Sequence, residues 1–68
     1  MSDQNVIPIQ RTLLRLPDVI ARTGLSKSTI YRLIAAGEFP SPRKLGQRAV
    51  AWKASEIAEW ESSLPVAA

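Results

Sequence analysis

The fold is decided by Ser26–Gly37, which reads SKSTIYRLIAAG. Ser26 stands where an N-cap belongs, because its hydroxyl can accept one of the backbone N–H groups left unpaired in a first turn. Leu25 before it and Ile30 after it have the spacing of a hydrophobic staple. Gly37 suits the left-handed residue that closes a helix, and Pro40 prevents its resumption. At ~100° per residue, Ile30, Leu33 and Ile34 form an apolar stripe. The opposite face carries Ser28, Arg32 and Ala35, flanked by Thr29, Tyr31 and Ala36, with Lys27 in the first turn. This face is slim, polar and cationic and holds no acid. Such a helix fits a major groove, where an arginine can fork onto guanine and hydroxyls can bond bases or phosphates. The competing reading is a surface helix with solvated cations.

Working outward toward the N-terminus, Pro17 suits the first position of a helix and Asp18 its positive end. Val19, Ile20 and Thr23 give an apolar side to a two-turn helix, Pro17 to Thr23, that Gly24 ends. Leu25 then turns inward and Ser26 starts the next helix. Two short helices across a Gly-Leu turn are the syntax of a helix-turn-helix. A small residue often stands four places before the turn glycine in such units. Here that place is Ile20, which predicts a shifted packing angle. Leu13, Leu14 and Leu16 suggest a short strand. Residues 1–11 show no helical period and read as a flexible arm, in which Arg11 is the only cation.

Toward the C-terminus, Glu38-Phe39-Pro40-Ser41-Pro42 is an extended, stiff connector with Phe39 as a core plug. Arg43-Lys44-Leu45 and Arg48-Ala49-Val50-Ala51-Trp52 read as two strands around the glycine-containing turn Gly46-Gln47. Leu45, Val50 and Trp52 are expected to face the core, with Arg43, Lys44 and Arg48 on the other side and at the tip. A basic hairpin after a helix-turn-helix is a wing that can reach phosphates or a minor groove; the alternative is a hairpin whose cations blunt an exposed edge. From Lys53 or Ala54 the chain is helical again, with Ile57, Trp60 and Leu64 as the docking stripe and Glu56, Glu59 and Glu61 as a solvated face. Pro65 ends it. The expected division is an arm at 1–11, one domain at 12–64 and a tail at 65–68.

The chain has 68 residues, enough for one domain. Nine Lys and Arg against six Asp and Glu give a net charge of +3. The distribution says more: Arg11 to Lys53 holds all nine cations against Asp18 and Glu38 alone, a net of +7. That separation favours a polyanion partner. No Cys and no His occur. Thiolate and imidazole metal sites, cysteine nucleophiles and histidine acid–base chemistry are therefore excluded. The reading is of a protein that is not an enzyme and needs no cofactor. No apolar run approaches the ~20 residues of a membrane span, so no membrane association is expected.

Taken together, Thr23-Gly24-Leu25-Ser26, Ser28-Thr29-Ile30-Tyr31-Arg32, Gly37-Glu38-Phe39-Pro40, Lys44-Leu45-Gly46, Val50-Ala51-Trp52 and Ser55-Glu56-Ile57 with Trp60 resemble the AlpA family of small prophage transcriptional regulators. The resemblance covers roughly residues 13–64; phage excisionases and the DNA-binding head of MerR-type regulators are more distantly similar. It implies a winged helix-turn-helix, mainly α with a small β-hairpin: three short helices and a two- or three-stranded sheet. It implies that helix 26–36 enters the major groove, with Lys27, Ser28, Thr29, Tyr31 and Arg32 contacting DNA, and that hairpin 43–52 is the wing. Arg43, Lys44 and Arg48 are the expected phosphate contacts. MerR proteins carry a long dimerisation helix that this chain lacks, so no coiled-coil dimer is expected.

The expected partner is double-stranded DNA in a bacterial cytoplasm, at the nucleoid. Cooperative self-association on DNA and contacts to an integrase or the transcription machinery are further partner classes. Two other functions stay open on the residues alone: an excisionase-type architectural factor that bends DNA for an integrase, and a protein-interaction adaptor for an acidic partner.

Overall fold

The computed structural model describes residues 12–67. The expected arm, 1–11 with Arg11, and the last residue, Ala68, lie outside the described residues. The elements in chain order are β1 (Leu13–Leu14), α1 (Leu16–Thr23), α2 (Lys27–Ala35), β2 (Arg43–Lys44), β3 (Val50–Lys53) and α3 (Ala54–Ser63). The strands form one antiparallel sheet in the order β1-β3-β2. The architecture is thus mainly α with a small sheet, as the sequence predicts.

Each helix starts and stops for a local reason. At the start of α1, the Asp18 carboxylate accepts the Arg15 backbone N–H at 3.2 Å. The reciprocal bond of a capping box is not made, because a guanidinium has no acceptor to offer. Pro17 costs α1 nothing at its first turn. Gly24 closes the helix at φ 76° and donates to the Ile20 carbonyl at 2.8 Å. Thr23 does more than pad an apolar side. Its hydroxyl donates to the Val19 carbonyl at 2.8 Å and accepts the Leu25 N–H at 3.2 Å, which locks the turn between the helices. After α2, Glu38 N–H donates to the Leu33 carbonyl at 2.8 Å and Gly37 N–H to that of Ile34 at 3.0 Å. With Gly37 at φ 75°, this is a complete Schellman closure.

The core is one cluster: Leu14, Val19, Ile30, Phe39, Trp52 and Ile57. Every described element except β2 supplies one of these residues, and the connector supplies Phe39. Leu25, Leu33 and Ile34 pack around it as predicted, together with Ile20 and Trp60. Two indoles fix the connector: Trp60 Nε1–H donates to the Glu38 carbonyl and Trp52 Nε1–H to the Pro40 carbonyl, both at 2.9 Å. Between these bonds the Phe39 ring meets Trp60 edge-on, with centroids 4.7 Å apart.

Three expectations are corrected. Leu45 does not face the core but is 48% exposed, because the β2–β3 ladder ends at the Lys44–Val50 pair and Leu45 already belongs to the loop. Leu64 is 49% exposed, because α3 stops at Ser63 and Leu64 has extended backbone. Two of the three α3 glutamates, Glu56 and Glu61, are not simply solvated. Glu61 accepts two bonds from the Arg22 guanidinium, at 3.0 Å from Nε and 2.9 Å from Nη2, and so staples α1 to α3. Glu56 takes the Arg43 guanidinium.

The Arg22 bond holds the Glu61 carboxyl below its usual range; slight desolvation opposes this and the guanidinium charge adds to it. A depressed folded-state value contributes stability above the unfolded glutamate range, about 4.3, which is lost as pH falls through the folded value. The melting temperature of Glu61→Gln should therefore lie below that of the wild type at pH 7, and the two should converge as the pH falls through the depressed Glu61 value. A gap independent of pH would show that the ion pair contributes nothing.

Candidate nucleic-acid interface

The expected contacts lie on two elements, α2 and the hairpin β2–β3. The Ser26 hydroxyl sets the start of α2: it accepts the Thr29 backbone N–H at 3.2 Å and donates to Thr29 Oγ1 at 3.0 Å. Thr29 is half-buried and committed to this cap. Lys27, Ser28 and Arg32 are exposed. No acid stands in the first turn of α2, so the positive end of its dipole is not neutralised from within the helix. Tyr31 lies at the border of the face, 39% exposed, and its ring meets Trp52 edge-on at 6.3 Å and 67°. Trp52 thereby touches α2 through its ring and the connector through its N–H, while belonging to the hairpin.

The hairpin is short. Arg43 lies opposite Ala51 and Lys44 opposite Val50. Residues paired directly across antiparallel strands share a face, and successive residues alternate. Lys44 therefore shares the face of Val50 and Trp52, a correction to the expectation that it lies with Arg43 on the other side, and Arg43 takes the opposite face with Ala51. The loop 45–49 carries Arg48 and is closed by the Leu45 N–H bond to the Ala49 carbonyl at 2.7 Å.

The cations divide by their partners. Arg22 and Arg43 are paired with Glu61 and Glu56. Arg15 donates from Nε to the Val50 carbonyl at 3.0 Å. Lys27, Arg32, Lys44, Arg48 and Lys53 are exposed and form no ion pair among the described residues. Of the eight residues expected at the interface, Lys27, Ser28, Arg32, Lys44 and Arg48 thus present unengaged polar ends; Thr29 is held in the cap, Tyr31 rests on Trp52 and Arg43 is held by α3. Sequence reasoning missed the ion pairs, since residues 39 and 13 positions apart carry no periodic signal. The indole bonds had one available cue: a buried tryptophan needs an acceptor, and the connector's carbonyls lie beside prolines that donate nothing. Among the described residues no cluster of three or more His, Cys, Asp or Glu could hold a metal ion, and no helix is long and apolar enough to cross a membrane.

Two helices joined by a locked glycine turn, followed by a hairpin whose tryptophan reaches back to the second helix, define a winged helix-turn-helix. The family described as prophage CP4-57 regulatory protein (AlpA) matches residues 12–64. The chain belongs to this AlpA family. It is 51% identical over 51 residues to an uncharacterized protein, ORF88, of Enterobacteria phage P4, across 75% of this chain and 58% of that protein. The chain thus spans little more than half of that phage protein. It is also 41% identical over 56 residues to the DNA-binding transcriptional activator AlpA of Escherichia coli K12, across 74% of this chain and 80% of that protein.

Replacing Ser26 with alanine removes the acceptor for the Thr29 N–H and should cost about 1 kcal/mol of folding stability. Urea denaturation measures it; an unchanged midpoint would show that the cap does not hold the start of α2.

Proposed function

We propose that this chain is a sequence-specific DNA-binding protein, a small transcriptional regulator that lays α2 in the major groove and uses hairpin 43–52 as a wing. The observation that carries the reading is the partition of charge. Glu61 and Glu56 of α3 pair with Arg22 and Arg43, while Lys27 and Arg32 on α2 and Lys44 and Arg48 on the hairpin are exposed and form no ion pair among the described residues. These two elements are linked through Trp52. The relative named as a DNA-binding transcriptional activator supports the same reading. In it, Arg32 reads a base edge, Ser28 and Lys27 touch bases or backbone, and Lys44 and Arg48 bind phosphates. Neighbouring copies on repeated sites, an integrase or the transcription machinery are the partner classes that accompany this role in a bacterial cytoplasm.

Titration with duplex DNA across a range of salt tests the reading. Affinity should fall linearly on a log–log plot, with a slope of about 0.9 per phosphate neutralised. Arg32→Ala should lose about 1–3 kcal/mol of discrimination between selected and random sites. Arg48→Ala should weaken all sequences alike and reduce the slope by about one. Binding that ignores salt would refute the DNA reading, and identical behaviour of the two variants would refute the division of roles.

A further inference from the structure

We infer that Arg43 and Glu56 form a positioning pair that fastens the wing to α3, so that Glu56, an acid, supports DNA binding rather than opposing it. The DNA part of this inference rests on the function proposed above. Among the described elements β2 alone gives no side chain to the core cluster, and both of its residues are exposed. It is attached, among the described residues, by a two-pair ladder to β3 and by the bond from Arg43 Nη2 to Glu56 Oε2. The ladder sets the position of β2 along β3 but leaves the strand and its five-residue loop free to hinge about their shared edge. The ion pair supplies a second point of attachment, to a different element. Glu56 can serve there because it stands in the first turn of α3, immediately after β3. Arg43 and Lys44 are adjacent yet point to opposite faces, so the wing strand has one cation turned to α3 and one without an ion pair among the described residues. The same pair edges a shallow cavity of about 660 Å³ between the connector and α3, lined by Phe39, Pro40, Glu59 and Trp60.

Simple electrostatics and this anchor make opposite predictions. Removing a carboxylate should tighten binding to a polyanion, and freeing Arg43 should add a phosphate contact. If the pair is an anchor, Glu56→Gln weakens binding instead. The test uses Arg43→Gln, Glu56→Gln and the double variant, with DNA affinity measured across salt and amide exchange measured at the Leu45 N–H without DNA. An exposed ion pair corresponds to at most about a fivefold change. The expected result is that each single variant binds about two- to fivefold more weakly with an unchanged salt slope, that the double variant is no worse than either, and that Leu45 exchanges faster in all three. The inference is overturned if Arg43→Gln lowers the slope by about one, if Glu56→Gln binds more tightly, or if Leu45 exchange is unchanged. Should the wild type show no salt-dependent DNA binding, the proposed function fails by itself, and Leu45 exchange still decides whether the pair anchors the wing.

Discussion

Two indole N–H bonds hold the molecule's parts in one arrangement. The segment between α2 and the hairpin contains Pro40 and Pro42, which have no N–H and keep the chain extended. Beyond the closure of α2 at Gly37 and Glu38, it forms no ladder of its own. Trp60 and Trp52 instead bond its carbonyls at Glu38 and Pro40, and Phe39 is buried between those bonds. Trp52 also sits under Tyr31 of α2 and is the largest fully buried side chain among the described residues. The angle between α2 and the hairpin is therefore set by one tryptophan, its acceptor carbonyl and the ring above it. A buried aromatic with a satisfied polar end combines large apolar burial with directional bonding, which suits a domain too small for a deep core.

Charge is organised on top of that frame. Glu61 and Glu56 of α3 bond to Arg22 on α1 and Arg43 on β2, and each pair ties α3 to a different element. These exposed pairs add little stability individually. Their larger effect is to decide which cations form no ion pair among the described residues. The net charge of +3 understates the field of the unpaired set.

Signals that act over three or four residues were readable from the letters. Ser26 and Gly37 mark the bounds of α2, Gly24 and Leu25 mark the turn, and the Ile30-Leu33-Ile34 stripe marks the buried side. Phe39 as a core residue followed from the cost of exposing it in so small a domain. What could not be read came from long-range geometry. Leu45 looks like a strand residue because it is apolar, yet β2 ends one residue earlier and leaves it exposed. Leu64 continues the spacing of Ile57 and Trp60, but α3 stops first. Arg43 reads as one more wing cation; its partner lies on a helix that the local pattern does not connect to it. Thr23 reads as a filler of the apolar side, because a hydroxyl's two partners appear only once the turn is built.

The central claim is that α2 and the hairpin, joined through Trp52, meet DNA as a single surface while α3 stays behind it. Nuclear magnetic resonance of the labelled protein titrated with a duplex tests this most directly. The account predicts that amides of Lys27–Ala35 and those around Lys44 and Arg48 shift together with one midpoint, leaving Glu59 and Glu61 unmoved. Shifts centred on α3, or two midpoints for helix and hairpin, would contradict it.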